Sequence, residues 1–315
     1  MALAGSATNT TVIVVVGAAG EEEFGRQFIE WSNDWRKAAK EAGAECRIIG
    51  VEKSDKEDRD SLKALLDNES KDASAELWIV LLGHGTFDGK AAKFNLRGPD
   101  VSAEEMAGWL KPFQRPIAVI NASSSSAPFI NALSGHGRVV ITATRSGHEQ
   151  NFARFGQYFS KAIGDREADL DKDGQTSLLE AYLTAAYRVT DFYKADGRLA
   201  TEHALLDDNG DGLGTPADWF RGVRAVKRAK EGAQLDGFRA HQFHLVRSEQ
   251  ERRMPAEMRK RRDELELAVA QLRDRKSTLP EQEYYTRLEK LLLELAKLYQ
   301  EVEKQAKAPS TPVAP

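Results

Sequence analysis

The chain has 315 residues, 41% hydrophobic and 30% charged, with a net charge of −4 and a pI near 6.0. That is the composition of an ordinary globular protein with room for one large or two ordinary domains, and it excludes the global basic field that would argue for nucleic acid. The one cysteine, Cys46, excludes an internal disulfide and a cysteine-built zinc cage, and no apolar run reaches the length of a membrane span. The opening Met1-Ala2-Leu3-Ala4-Gly5 has the small-x-small look of a cleavage site. It reads as an exported protein, periplasmic or extracellular, given without its leader; the alternative is a cytoplasmic one.

Residues 11–16 (TVIVVV) are almost continuously apolar, as in a strand covered on both faces. Phe24, Phe28, Trp31 and Trp35 recur at helical spacing and predict a helix over 24–42. A strand over 47–51 and part of a helix at 61–66 follow. Strands at 77–82, 117–120 and 139–143 come next, with a helical pattern at 103–110. Such alternation predicts an α/β fold, a three-layer α/β/α arrangement around a doubly wound, mostly parallel sheet. Gly17-Ala18-Ala19-Gly20 lacks the Gly-Lys-Ser/Thr ending of a phosphate loop and precedes Glu21-Glu22-Glu23. It reads as a strand-to-helix turn. Cys46 reads as a packed strand residue.

Two strand ends carry polar residues suited to chemistry. Residues 77–85 (LWIVLLGHG) deliver His84-Gly85, and residues 117–126 (IAVINASSSS) deliver four serines. In an open parallel sheet, ligands bind outside these carboxyl ends. The segments LLGHGTFDG (81–89) and INASSSSAPF (120–129) make residues 11–160 resemble the caspase/legumain-type cysteine peptidases. The resemblance implies His84 as general base or acid, the turn at Gly85 as part of the oxyanion-holding backbone, and a cysteine nucleophile after the second strand. Here a serine stands in its place. Alignment on Cys-x-Ser-Gly selects Ser124, the preferred reading, and alignment on x-Ala-Cys selects Ser123. Asp88 is a candidate to orient His84, and Asn121 to line the pocket. Thr144, Arg145 and Ser146 follow the next strand and are placed to form a specificity pocket, with Arg145 suited to an acidic side chain.

A thiol supplies nucleophilic thiolate near neutral pH. A serine hydroxyl instead depends on a base within hydrogen-bond reach. The reading is therefore a pseudo-peptidase, inactive or weakly active, that binds a peptide or protein. The alternatives are an active endopeptidase using Ser124 or Ser123 with His84, an engineered Cys-to-Ser change in a cysteine peptidase, and a structural assembly module.

Residues 169–180 match D-x-D-x-D-G-x5-E at every position, with Asp169, Asp171, Asp173, Gly174, Gln175 and Glu180. Alternate carboxylates converge on a cation, Gln175 offers its carbonyl, and Glu180 closes the shell, so Ca2+ is the expected ligand. A helix over 178–193 is expected to follow. The idea recurs at 207–218 with Asp207, Asn209, Asp211, the Leu213 carbonyl and Asp218 at the twelfth position. Both loops resemble EF-hand and dockerin-like modules, and with only four methionines a structural staple is expected rather than a sensor. His203, His241 and His244 form no recognisable metal set. The basic runs at 221–230 and 252–262 read as solvated helix faces.

From 248 onward the sequence is dense in Arg, Lys, Glu and Leu. Helical segments are expected over 249–276 and 280–307, and Tyr284, Leu288, Leu291, Leu295, Leu298 and Val302 form a heptad seam. The predicted organisation is an α/β domain over 1–160, a calcium-binding segment with linking helices over 161–247, an antiparallel helical hairpin over 248–306 and a disordered tail over 307–315. The hairpin is the expected surface for a homo-oligomer or partner contact.

Overall fold

All six residues of β1 (Thr11–Val16) are buried, and their side chains alternate between two cores. Val12, Val14 and Val16 pack on one face of the sheet and Ile13 and Val15 on the other, as the period of two in a strand requires. The computed structural model describes residues 9–307. The chain divides into two compact units, one ending at Val246 and one beginning at Arg247.

In the first unit, β1 is joined by α1 (Glu22–Ala42) to β2 (Glu45–Ile49), and α2 (Asp58–Asn68) leads to β3 (Leu77–Leu82). Strands β4 (Gly85–Phe87), β5 (Ala92–Phe94) and β6 (Val101–Ser102) form a small antiparallel sheet of their own. Then come α3 (Ala103–Leu110), β7 (Ile117–Asn121), α4 (Pro128–Leu133), β8 (Arg138–Thr142), α5 (Phe155–Ala162) and α6 (Leu178–Ala195). The unit closes with β9 (Leu205–Asp207), β10 (Thr215–Pro216), β11 (Phe220–Arg221), β12 (Arg224–Ala225) and α7 (Phe238–Gln242).

The main sheet runs β10-β9-β8-β7-β3-β1-β2. Its pairings from β2 through β8 are parallel, and β9 and β10 are antiparallel additions at one edge. Helices α1, α5 and α6 cover one face through Phe28, Trp31, Trp35, Phe155, Phe159 and Tyr182. Helices α2, α3 and α4 cover the other through Leu62, Leu66, Met106, Leu110, Phe129 and Leu133. The result is the expected three-layer α/β fold with a mostly parallel sheet. The chain winds outward from β1 to β2, and then in the opposite direction through β3, β7 and β8. The reversal between β1 and β3 is where such sheets open a crevice.

Several local expectations shift. The second strand starts at Glu45 rather than 47. The run 221–230 is no helix: Phe220 and Ala225, both buried, pair across the β11–β12 hairpin, so tertiary burial overrides helical composition. Pro255 splits the helix expected over 249–276 into α8 (Glu249–Arg253) and α9 (Ala256–Asp274), since the residue before a proline is driven into extended backbone, as Met254 is.

In the second unit, α9 packs on α10 (Glu281–Lys307) across a short turn. Leu265, Val269 and Leu272 of α9 and Tyr284 and Leu298 of α10 are buried. Among the described residues no helix is long and apolar enough to cross a membrane. Lys307 ends α10; the rest of the expected tail, and the residues of the expected cleavage site, lie outside the described residues.

Candidate functional site

Leu81 of β3 is registered against Asn121 of β7, so the residues after both strands leave the sheet side by side. His84 is wedged between Phe24, Phe28 and Phe152, with ring centroids 5.0, 5.3 and 6.0 Å away. Its Nε2 donates to the Ala19 carbonyl at 3.1 Å. That contact puts the proton on Nε2 and leaves Nδ1 as the basic nitrogen. Burial pushes the His84 pKa below its ordinary value, while the Ala19 carbonyl and the Glu21 carboxylate work in the opposite direction. Ala19 lies in the turn after β1, so the orienting contact spans the β1–β3 crevice. Asp88 instead closes its own turn, accepting from the Lys90 and Ala91 N–H groups at 2.8 Å each.

The four serines are all buried, none more than 3% exposed. Ser123 donates from its N–H and its hydroxyl to Asn121 Oδ1 at 3.1 and 2.6 Å. The Ser124 hydroxyl accepts from the Gly85 N–H and donates to the Gly85 carbonyl, both at 3.1 Å. A Cβ on residue 85 would sit 2.3 Å from the Ser124 carbonyl oxygen and 2.8 Å from Ser123 Oγ, so the approach of the two loops requires glycine. Ser126 accepts from the Ala143 and Thr144 N–H groups at 3.1 and 3.2 Å. Ser125 has φ of 53°, and its buried hydroxyl, like Asn121 Nδ2, has no partner among the described residues. Among the described residues, none of the four hydroxyls is hydrogen-bonded to His84.

The loop after β8 is organised by Glu149, a residue the sequence does not single out. Its carboxylate accepts from the Arg145 N–H at 2.9 Å and from His203 Nδ1 at 2.6 Å, and its carbonyl accepts from the Ser125 N–H at 2.8 Å. Arg145 is exposed and pairs with Glu149 at 3.4 Å, and the Ser146 hydroxyl accepts from the His148 N–H. The arrangement holds a histidine beside a buried, hydrogen-bonded, hydroxyl-rich loop, with the Gly85 N–H already occupied by Ser124.

No family model and no curated protein matches the sequence. Among solved structures, the chain is similar to the Drosophila initiator caspase Dronc, at 14% identity and TM-score 0.39, over 64% of this chain and 79% of that one. It is also similar to caspase-1 from Spodoptera frugiperda, at 8% identity and TM-score 0.39, over 64% and 89% of the two chains. Raptor from Chaetomium thermophilum matches at 9% identity and TM-score 0.34, over 50% of this chain and 18% of that one.

The first acidic loop lies between a 3-10 turn (Arg166–Ala168) and α6. Gly174, at φ of 91°, lets the backbone reverse so that its N–H and that of Lys172 reach Asp169 at 3.0 and 2.7 Å. The carboxylates of Asp169, Asp171 and Asp173 gather within 4.8 Å of one another. Gln175 folds back onto Asp173 through its backbone and side-chain N–H groups. Glu180, 1% exposed, accepts at Oε1 from the Leu170 and Asp171 N–H groups, at 2.7 and 3.1 Å, and at Oε2 from the Ser177 N–H and hydroxyl. His241, from α7, reaches Asp171 at 2.9 Å. This oxygen-rich set fits a hard cation such as Ca2+.

The second loop sits between antiparallel strands β9 and β10. Asp207 accepts from the Gly210 and Gly212 N–H groups, Asn209 from Asp211 N–H, and Asp211 from Leu213 N–H. Asp218 is exposed in a 3-10 turn (Ala217–Trp219). The contacts that Glu180 makes in the first loop are made here by Asp236. It accepts from Asp208 and Asn209 N–H at 3.0 and 3.1 Å, the loop's second and third residues, and from the Thr215 hydroxyl at 2.6 Å. Thr215 holds the loop position that Ser177 holds in the first. Burial and the nearby Asp208 carboxylate push the Asp236 pKa up.

Proposed function

We propose that this chain is a calcium-binding, peptidase-like protein that holds a peptide or protein at a caspase/legumain-type site without cleaving it efficiently. One observation carries the reading: the hydroxyl-rich loop lies beside His84-Gly85 at adjacent strand ends, yet Ser124 is clamped to Gly85 and His84 is turned to Ala19. A serine needs its base within hydrogen-bond reach to attack. The Gly85 N–H, which the resemblance assigns to oxyanion binding, is engaged by Ser124. Both nucleophile candidates are committed: the Ser124 hydroxyl to the Gly85 backbone, and the Ser123 hydroxyl to Asn121 Oδ1 and the Ser124 carbonyl. Ca2+ in the first loop, held by Asp169, Asp171, Asp173, Gln175 and Glu180, and in the second, held by Asp207, Asn209, Asp211, Leu213 and Asp236, staples the chain around α6 and β9.

The test is cleavage of a diverse peptide library in calcium by the wild type, Ser123→Cys and Ser124→Cys, each with and without His84→Ala. The expected result is a silent wild type and a thiol variant, Ser124→Cys or Ser123→Cys, whose cleavage disappears with His84→Ala. Wild-type cleavage lost with His84→Ala would instead establish a serine peptidase. Silence from both thiol variants would refute a peptidase-type site.

A further inference from the structure

The main sheet ends differently at its two edges. At one edge, β10 is two residues long and includes Pro216, which has no N–H to offer a further strand; short strands and prolines are how sheets protect an edge from pairing. At the other edge, β2 runs five residues in unbroken parallel register with β1 and holds no proline. Among the described residues no strand lies beyond it. The Glu45 N–H donates inward to the Thr10 carbonyl at 3.0 Å. Backbone groups alternate in direction along a strand, so Arg47 and Ile49 also bond to β1. The N–H and C=O groups of Cys46 and Ile48 then face outward, with no strand to meet them.

The side chains make this edge complementary to itself. Ala44, Cys46 and Ile48 are half-buried against the core beneath α1. Glu45 and Arg47 lie on the opposite face, 48% and 58% exposed. Two copies of β2 laid antiparallel about a two-fold axis at Cys46 set Cys46 against Cys46, Ile48 against Ala44, and Glu45 against Arg47 twice. Cys46 then exchanges N–H···O bonds with its mate, a hydrogen-bonded pair with Cα atoms about 5.5 Å apart, and the half-buried residues merge into one apolar strip. Within each copy Arg47 Nη2 already meets Glu45 Oε1, and that pair is kept. Among the described residues, Glu45 Oε2 and the other guanidinium nitrogens are in no ion pair, so they reach across and close a ring of four alternating charges. Opposite charges facing each other across a strand pair are stabilising. Centring the axis on Arg47 instead sets Arg47 against itself, so the charges select the register at Cys46.

We propose that two copies of this chain join edge to edge through β2, continuing the main sheet across a two-fold axis at Cys46. The contact is isologous, so it occupies both edges and stops at a dimer. The inference rests on β2 alone and is independent of the peptidase-type and calcium readings.

The test is sedimentation equilibrium of the full chain over a concentration series, with amide hydrogen exchange at residues 46 and 48 followed over the same series. The wild type is expected to form a dimer and nothing larger, and exchange of the Cys46 and Ile48 N–H groups is expected to slow as the dimer forms. Glu45→Arg and Arg47→Glu each set like charges against one another, and each alone is expected to be monomeric where the wild type is dimeric. Both swaps in one chain restore unlike charges and the dimer, and an equal mixture of the two single variants is expected to give a 1:1 heterodimer. Should a variant fail to fold, the wild-type exchange experiment decides by itself, because it needs no substitution. A wild type that stays monomeric to its solubility limit overturns the proposal, as does a dimer that leaves exchange at 46 and 48 unchanged. Dimers that persist in both single variants, or a folded double swap that stays monomeric, overturn it as well.

Discussion

If Asp236 closes the second calcium loop, Asp236→Asn removes that site while Asp218→Asn leaves it intact. Asp236 is 2% exposed and accepts three hydrogen bonds from the loop and β10. Asp218 makes none of these contacts. A cation bound only to the folded state stabilises it by RT ln(1 + [L]/Kd), about 2.7 kcal/mol at a hundredfold excess over Kd. For a unit of this size each kcal/mol moves the melting temperature by about 2–4 °C. One site is then worth roughly 5–10 °C, and two sites together roughly 10–20 °C. The assay is a pair of thermal melts for each protein, one in chelator and one in calcium, with magnesium as control. Taking the difference within each protein cancels the stability that Asp236→Asn costs by breaking its hydrogen bonds. The expected shift is full for the wild type and Asp218→Asn, about half for Asp236→Asn, and about half for Glu180→Gln through loss of the first site. A half shift in Asp218→Asn with a full one in Asp236→Asn would refute the assignment. No shift in the wild type would refute calcium binding altogether.

Gly85→Ala places a methyl 2.3 Å from a backbone oxygen and is expected to cost about 1–3 kcal/mol; a change below about 0.5 kcal/mol in urea unfolding would contradict the contact. Ser125→Gly relieves a left-handed backbone at a residue whose hydroxyl has no partner among the described residues, and should stabilise the fold by up to about 1 kcal/mol. A clear loss of stability by the same measurement would show that the hydroxyl is used. Because His84 in the fold takes up its proton only at lower pH than usual, the unfolded chain binds the proton first as pH falls below about 6.5. That part of the stability is present above the unfolded pKa and is lost progressively down to the folded one. His84→Gln should flatten this decline, and urea-midpoint curves against pH that run parallel for the two proteins would refute it.

Much of the fold was legible because burial on both faces of a sheet leaves unbroken apolar runs. Residues 11–16 and 77–82 are strands with the expected ends, and the aromatic spacing of Phe28, Trp31 and Trp35 marks the buried face of α1. The expectation failed where a few buried anchors outweigh local composition, as Phe220 and Ala225 do at the basic hairpin.

The candidate site divides along the same line. Short-range patterns determined from sequence alone that His84 and the serines each stand at a strand end, and that Asp169, Asp171 and Asp173 share one loop, because a strand end or a tight turn constrains residues close in the chain. Only the tertiary structure decided which groups they meet. Ala19 reaches His84 across the β1–β3 crevice, Glu149 ties the serine loop to His203, and Asp236 rather than Asp218 closes over the second loop. These contacts join residues far apart in sequence, and their pairing is set by how the layers pack.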